Sequence, residues 1–220
     1  PEALQPARLE GNSAFQRKDY DTALAAYTKA IDLLLNNSTT ATSPEDNLTV
    51  LYSNRSAAYF SSGDFTTALK DAELAVDAFL PTQENATKSS LAKAHYCCGK
   101  ALCGLGRYEE AVKAFRSGAD VAGTPSSKSE LCRELAKAEK WVLESQGTYD
   151  FPELWRESRK RPNTKLYDHV DYFGPVEVAQ VGNGKGRGLI VTEDMEAGRL
   201  LLACKVLKLQ IIFRKRTEAS

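Results

Sequence analysis

The first half of the chain alternates short polar turns with stretches whose apolar residues recur every three or four positions. Such spacing places the apolar residues on one face of a helix. Three segments share an aromatic residue three positions before an alanine, at Ala23, Ala68 and Ala111, and each follows a polar or glycine-containing turn. An amphipathic stretch lies on both sides of each segment. The pattern predicts three helix–turn–helix units in succession.

A small residue lies near the middle of the first helix of each unit, at Gly11, Ser56 and Gly99. Small residues allow two helices to cross closely, and aromatic residues fill the gap beside them. These positions together resemble the tetratricopeptide repeat family, which implies an α-α superhelix of three repeats. The third repeat has Gly118 where the family usually has alanine, which we expect to loosen that helix slightly. The repeats would span about residues 4–36, 48–81 and 91–123.

A further helical stretch at residues 128–145 follows the repeats, with Leu131, Leu135 and Ala138 at helical spacing. The end of a stacked array exposes an apolar face, and an amphipathic helix is what such an end needs as a cap. We therefore expect residues 1–147 to form one solenoid, and the fold class to be mainly α.

The resemblance also implies a ligand for the groove lined by the first helices. Tetratricopeptide domains that bind chaperone tails hold the terminal carboxylate of the tail with a clamp of five residues. Matched position by position, the implied peptide-binding residues are Arg8, Asn12, Asn54 and Lys93. The fifth position is Cys97 instead of a cation, and a thiol cannot make the bidentate contact of an arginine. We therefore expect protein or peptide partners, including acidic C-terminal chaperone tails bound with reduced affinity.

Two other interpretations of the clamp residues stay open. Asn12 and Asn54 could be helix-packing residues that hydrogen-bond locally, in a clamp that has decayed. The groove could also bind a peptide of another kind. The clamp hypothesis and this last alternative both predict that the groove binds a peptide.

The hydrophobic pattern changes after Gly147. Residues 148–174 are predicted to be a linker with a short basic run, which we interpret as a solvated surface. Residues 176–181 then alternate with a period of two, which predicts a strand. Four glycines at alternating positions follow, and further apolar strands are predicted at 189–191 and 199–204.

Residues 185–202 resemble the opening of a SET domain, in which a glycine turn, an apolar strand and an acidic turn ending in glycine follow one another. The resemblance implies that residues 175–220 are the N-terminal part of a SET-type protein-lysine methyltransferase of the fungal type, with tetratricopeptide repeats ahead of it. The cofactor of such a protein is S-adenosylmethionine. A simple hairpin whose glycines satisfy turn dihedrals is the alternative. The implied cofactor-binding residues are Lys185, Gly186, Arg187 and Gly188.

Motifs needed for methyl transfer are missing from this sequence. The Asn-His-Ser motif that completes the cofactor pocket in the family does not occur, nor does the late tyrosine that faces the substrate lysine. We expect the chain, which begins at Pro1, to be an inactive piece of a longer enzyme that binds no cofactor itself, and we assign no catalytic residue. The leading hypothesis is a peptide-binding solenoid fused to a partial methyltransferase. The alternatives are a non-enzymatic scaffold and an adaptor that binds chaperone tails.

The amino-acid composition limits the classes of partner and ligand that we expect. The 220 residues include 29 lysines and arginines and 29 aspartates and glutamates, so no cationic surplus favours a nucleic-acid partner. The apolar run at residues 200–213 is broken by two lysines, so we expect no membrane span. Five cysteines without a secretory signal predict reduced thiols and a cytoplasmic or nuclear location. No Cys-x-x-Cys pair or histidine partner occurs, so we expect no metal.

Overall fold

The computed structural model describes residues 4–36, 47–79, 86–160, 170–180, 187–196 and 198–204. The chain divides into two compact units, Pro1–Lys140 and Trp141–Ser220. This division falls inside the helix predicted to cap the solenoid, whereas the predicted solenoid ends at residue 147. The further boundary at residue 175, between linker and partial SET domain, stays a prediction.

The first unit is built from consecutive helices that pack in pairs. Within the described residues, the pairs are α1–α2, α3–α4 and α5–α6, and α2 packs on α3 as α4 does on α5. The helix–turn–helix units predicted from the sequence are thereby confirmed. No helix in this described part of the chain is both long and apolar enough to cross a membrane. The helices are α1 (Leu4–Gln16), α2 (Tyr20–Asn36), α3 (Leu48–Ser62), α4 (Phe65–Asp77), α5 (Ala86–Gly104), α6 (Tyr108–Val121), α7 (Pro125–Ser145) and α8 (Phe151–Lys160).

Side-chain caps fix where the helices of the middle repeat begin and end. Asn47 accepts a hydrogen bond from the backbone N–H of Val50 (2.8 Å), and Asp64 accepts one from Thr67 (3.0 Å). Each cap satisfies a backbone donor that has no partner within its helix. Gly63 ends α3 with φ +91°, a left-handed conformation that glycine adopts without strain and that turns the chain sharply into α4.

The small residues of the outer repeats lie where the paired helices touch. A Cβ on Gly11 would be 2.6 Å from the Tyr27 ring, and one on Gly99 would be 2.4 Å from the Phe115 ring. Carbon atoms do not approach so closely, so only glycine leaves room for these rings. The close crossing predicted for the small positions is therefore confirmed in the first and third repeats. In the middle repeat, the buried Ser56 hydroxyl donates to a backbone carbonyl of α4 (2.7 Å).

The capping helix α7 begins at Pro125, earlier than the predicted start at residue 128. Proline suits the first helical position, where its missing N–H costs nothing, and Thr124 accepts from the backbone N–H of Ser127 (3.2 Å). Leu131 on α7 is buried against the third repeat, as the pattern predicted. The glycine at position 118 has a packing role, because a Cβ there would be 2.9 Å from Cδ2 of Leu131.

The second unit contains helix α8 and two antiparallel strand pairs. Val176 of β2 lies opposite Val191 of β3, and Gln180 lies opposite Arg187. The strand predicted at 199–204 is shorter in the structure, where only the two residues of β4 form a strand and pair with β1. The described strands are β1 (Tyr172–Phe173), β2 (Val176–Gln180), β3 (Arg187–Val191) and β4 (Leu202–Ala203).

Part of the predicted linker is helical. Helix α8 begins after Asp150, whose carboxylate accepts a hydrogen bond from the backbone N–H of Glu153 (2.9 Å). The change of composition after Gly147 and the short basic run favoured a linker over residues 148–174. The cap at Asp150 is a local signal for a helix that this interpretation overlooked.

Candidate peptide-binding site

Three of the four predicted clamp residues are joined by hydrogen bonds. The Asn54 amide donates from Nδ2 to Oδ1 of Asn12 (3.3 Å), and Nζ of Lys93 donates to Oδ1 of Asn54 (2.7 Å). These residues lie on α1, α3 and α5, the first helices of the three pairs. Helix α3 packs against both α1 and α5, so residues far apart in sequence meet on one surface.

Tyr27 and Arg8 complete the α1 end of this surface. The Tyr27 hydroxyl donates to Oδ1 of Asn12 (2.9 Å). Burial raises the pKa of Tyr27 to about 12, and the positive charge of the nearby Arg8 lowers it in part. The phenol therefore keeps its proton at neutral pH. Arg8 itself is 7% exposed, so it belongs to the wall of the surface more than to its rim.

The clamp residues offer mainly hydrogen-bond donors to a ligand. Oδ1 of Asn12 accepts from both Tyr27 and Asn54, which leaves the amide nitrogen of Asn12 as its remaining polar group. Lys93 is exposed, and its ammonium carries three donors, one of which points to Asn54. Amide and ammonium donors beside a cation are the groups that a carboxylate accepts from.

Cys97, at the fifth clamp position, is directed into the helix packing. The residue is 7% exposed, and its thiol donates to the backbone carbonyl of Ser53 on α3 (3.6 Å). Burial raises the pKa of the thiol to about 11, although the charge of Lys93 opposes the shift. Cys97 is therefore neutral at pH 7 and adds no charge to the site.

Arg55 follows Asn54 on α3 and anchors that helix between its neighbours. Its guanidinium donates twice to Asp71 on α4, from Nε (2.7 Å) and Nη2 (2.9 Å). A third bond runs from Nη1 to the hydroxyl of Thr28 on α2 (3.0 Å). A planar fork held at both sides fixes the rotation of α3, and with it the direction of Asn54. No pattern in the sequence identifies this group, because its members belong to three separate helices.

A cavity of about 400 Å³ lies beside Lys93, between α5 and α7. Tyr96 and Leu131 give it an apolar wall, and Glu130 adds a carboxylate. Burial raises the pKa of Tyr96 to about 12, and the negative charges of Glu134 and Glu130 raise it further. The sequence pattern predicts only a capping role for α7 and gives no sign of this cavity. Three serines also line it, namely Ser89, Ser90 and Ser127.

Two of the four predicted cofactor residues, Lys185 and Gly186, lie outside the described residues. Arg187 and Gly188 are the first residues of β3, opposite Gln180 and Ala179 of β2. Arg187 is exposed at the end of this hairpin. The cofactor-binding role of these four residues stays a prediction.

The cysteines are free thiols, of which Cys97 and Cys98 are buried whereas Cys132 and Cys204 are exposed. Burial is also the main cause that raises the pKa of Cys98, to about 12. Across the ranges that the structure describes, no three His, Cys, Asp or Glu side chains come together in a group that could hold a metal ion. Cys97 and Cys98 belong to the buried apolar cluster formed around the third repeat.

The chain is similar to curated proteins that contain tetratricopeptide repeats. It is 31% identical over 151 residues to the small glutamine-rich tetratricopeptide repeat-containing protein 2 of Mycosarcoma maydis, a match that covers 65% of this chain and 37% of that protein. It is 37% identical over 111 residues to the heat shock protein sti1 homolog of Schizosaccharomyces pombe, covering 50% of this chain and 15% of that protein. The chain thus spans well under half the length of these relatives. No protein-family model matches it.

A solved structure gives the same class. The chain resembles the TPR2B domain of yeast Sti1, solved as a complex with pHsp70, with 25% identity and a TM-score of 0.50. The match covers 63% of this chain and 98% of that one. The helical part is therefore a tetratricopeptide-repeat domain. Within that class it is similar to the repeat domains of Sti1 and of the small glutamine-rich proteins.

Proposed function

We propose that the repeat domain is a peptide-binding adaptor that holds the C-terminal carboxylate of an acidic, chaperone-type tail. Asn12, Asn54 and Lys93 would contact the carboxylate, and Arg8 would contribute positive potential from the wall of the groove. The observation that carries the proposal is the hydrogen-bonded series Asn12–Asn54–Lys93, which brings donors from three repeats to one surface.

The charge of the site supports a weak clamp. Lys93 can make a charge-assisted hydrogen bond to a carboxylate, and the asparagines add neutral ones. The neutral Cys97 supplies no second exposed cation. One missing charge-assisted bond is worth about 1.5–3 kcal/mol, or roughly ten- to hundredfold in affinity. We therefore expect binding that is measurable but weaker than that of a clamp with all five residues.

The relatives favour the adaptor over the methyltransferase hypothesis. One is named a heat shock protein, and the solved TPR2B domain of yeast Sti1 is described as a complex with pHsp70. These names describe those proteins, and they support a chaperone tail as the ligand to test first. None of the three proteins named above is described as a methyltransferase.

Fluorescence anisotropy with a labelled peptide ending in Glu-Glu-Val-Asp tests the clamp. We expect binding of the free acid, at least tenfold weaker binding of the C-terminal amide, and a similar loss in Lys93→Gln. Binding should also weaken as salt rises, because ions screen a carboxylate–ammonium contact. Lys113→Gln, which removes an exposed lysine from α6, is the control and should bind like the unchanged chain. Equal binding of acid and amide would refute the clamp.

As a second candidate we propose that residues 175–220 are the opening of a SET domain. The support is that β2 and β3 pair antiparallel on either side of the glycine-containing connection, as the motif requires. S-adenosylmethionine would supply the methyl group in a complete enzyme, but the Asn-His-Ser motif that completes the cofactor pocket in the family does not occur in this sequence. We therefore expect no methyl transfer to cell-lysate proteins by the 220-residue chain. Incorporation of radiolabelled methyl groups above background would contradict this expectation.

A further inference from the structure

We infer that Glu130 sets the specificity of the groove, because the cavity beside Lys93 accepts a basic side chain of the bound peptide and rejects an acidic one. This inference rests on the proposed function, since the clamp fixes where the peptide ends. Lys93 belongs to both features: it donates to Asn54 in the clamp and lines the cavity. An extended chain advances about 3.3 Å per residue, so the side chain that enters the cavity belongs to one of the last few ligand residues.

The groups that line the cavity suit a cation. Glu130 offers a carboxylate, and its side chain is 53% exposed, which leaves it accessible to a ligand. Its charge already acts on the neighbouring Tyr96. The phenol oxygen and the serine hydroxyls can accept hydrogen bonds from an ammonium or guanidinium group. Leu131 and Tyr96 can pack against the aliphatic stem of such a side chain.

The other charges near the cavity do not cancel Glu130 once a peptide is bound. Lys93 would be neutralised by the ligand carboxylate that it holds. Arg133 lies 3.8 Å from Glu130, but it also lies 3.5 Å from Glu134, so its charge is shared between two carboxylates. The Arg133 side chain is 66% exposed, and such surface pairs contribute little. Glu130 is thus the charge that a side chain entering the cavity would meet.

A lysine scan of the ligand tests this inference. The probes are a peptide ending in Glu-Glu-Val-Asp and three variants, each with lysine at one of the three positions before the terminal aspartate. We expect lysine to strengthen binding two- to fivefold at one position, the range that an exposed ion pair provides. Glu130→Lys should reverse this preference at the same position, and Glu130→Gln should remove it. Circular dichroism would verify that both variants remain helical.

Glu139→Lys is the matched control, because Glu139 is an exposed acid on the same helix that pairs with Arg116 instead of lining the cavity. It should keep the preference of the unchanged chain. A flat lysine scan, or a preference that Glu130→Lys leaves intact, would overturn the cavity inference. If amidation still weakened every peptide in that case, the clamp itself would stand. If amidation had no effect on any peptide, the clamp and the inference built on it would fall together.

Discussion

The outer repeats and the middle repeat hold their two helices together in different ways. In the outer repeats, an aromatic ring of the second helix lies against a glycine of the first, Tyr27 on Gly11 and Phe115 on Gly99. The middle repeat has Ala72 at the position that corresponds to the two rings. It therefore lacks the large apolar contact that burying a ring provides.

The middle repeat uses polar contacts at this crossing instead. Ser56 takes the place of the glycine of the outer repeats, and its hydroxyl donates to a backbone carbonyl of α4. Arg55 donates two hydrogen bonds to Asp71, which also lies on α4. The Asp71 side chain is 5% exposed and that of Arg55 is 16% exposed, so this ion pair is largely shielded from water. The paired helices thus pack around the missing Cβ of a glycine in the outer repeats, and around a serine hydrogen bond and a shielded ion pair in the middle repeat.

Breaking the ion pair should have the largest effect on stability. In Asp71→Asn, the neutral amide cannot compensate the charge of Arg55, which stays largely buried. Removing one partner of a buried pair costs about 3 kcal/mol or more. We expect this loss in the free energy of unfolding, measured by urea denaturation and circular dichroism. Because Arg55 also positions Asn54, peptide binding should weaken under conditions where the variant is still folded.

The third repeat contains a matched control for this substitution. Arg107 and Glu110 form a similar two-bonded pair (2.7 and 2.6 Å), but both side chains are about half exposed. Water solvates each group when the other is lost, so Glu110→Gln should leave stability nearly unchanged. Equal losses from Asp71→Asn and Glu110→Gln would mean that burial does not set the strength of the first pair.

The sequence predicted the pattern of small and aromatic residues, but not the ion pair. Glycine, tyrosine and phenylalanine at repeat spacing describe a close crossing, because each contact follows from the periodicity of two neighbouring helices. Arg55, Asp71 and Thr28 belong to three helices, and nothing in their spacing distinguishes them from surface charges. For the same reason the cavity between α5 and α7 was not predictable from the sequence, because it depends on how the capping helix packs on the third repeat.

The approach of Asn12, Asn54 and Lys93 to one another was predictable, because the register of the repeats places these side chains on the same surface. Asn54 and Lys93 bond to each other although they lie in different repeats. The direction of Cys97 was not predictable, since a residue one turn from Lys93 can face the groove or the adjacent helix. The structure points its thiol at the backbone of α3, where burial keeps it neutral.

Filling the glycine position of the third repeat should have the next largest effect. The Cβ of Gly99→Ala would be 2.4 Å from Cε1 of Phe115, whose ring is fully buried and cannot swing away. Overpacking costs about 1–3 kcal/mol, against which the better helix propensity of alanine recovers about 1 kcal/mol. We expect a net loss of up to about 2 kcal/mol in the free energy of unfolding.

A stricter test introduces the glycine–ring contact of the outer repeats into the middle repeat. Ser56→Ala should cost only about 1 kcal/mol, because a Cβ is already present there and one hydrogen bond is lost. Ala72→Phe alone should destabilise the domain by overpacking, and adding Ser56→Gly should recover part of that loss by making room for the ring. Additive effects of Ala72→Phe and Ser56→Gly would show that the two positions do not face each other as their outer counterparts do.

Alkaline pH should act mainly on the third repeat, which carries the buried thiols Cys97 and Cys98. Their pKa values are raised to about 11 and 12, chiefly by burial, from an ordinary value of 9.0. Between pH 8 and pH 9.5 the unfolded chain releases these protons while the folded chain keeps them, so stability falls as the pH rises. We expect a loss of about 1 kcal/mol per cysteine over this interval, below the range where tyrosines ionise.

The loss should be smaller in Cys97→Ala and Cys98→Ala, each compared with its own stability at pH 8. It should be unchanged in Cys132→Ala, whose thiol is exposed. If the free energy of unfolding fell with pH as steeply in Cys97→Ala and Cys98→Ala as in the unchanged chain, the groups responsible would lie outside the third repeat.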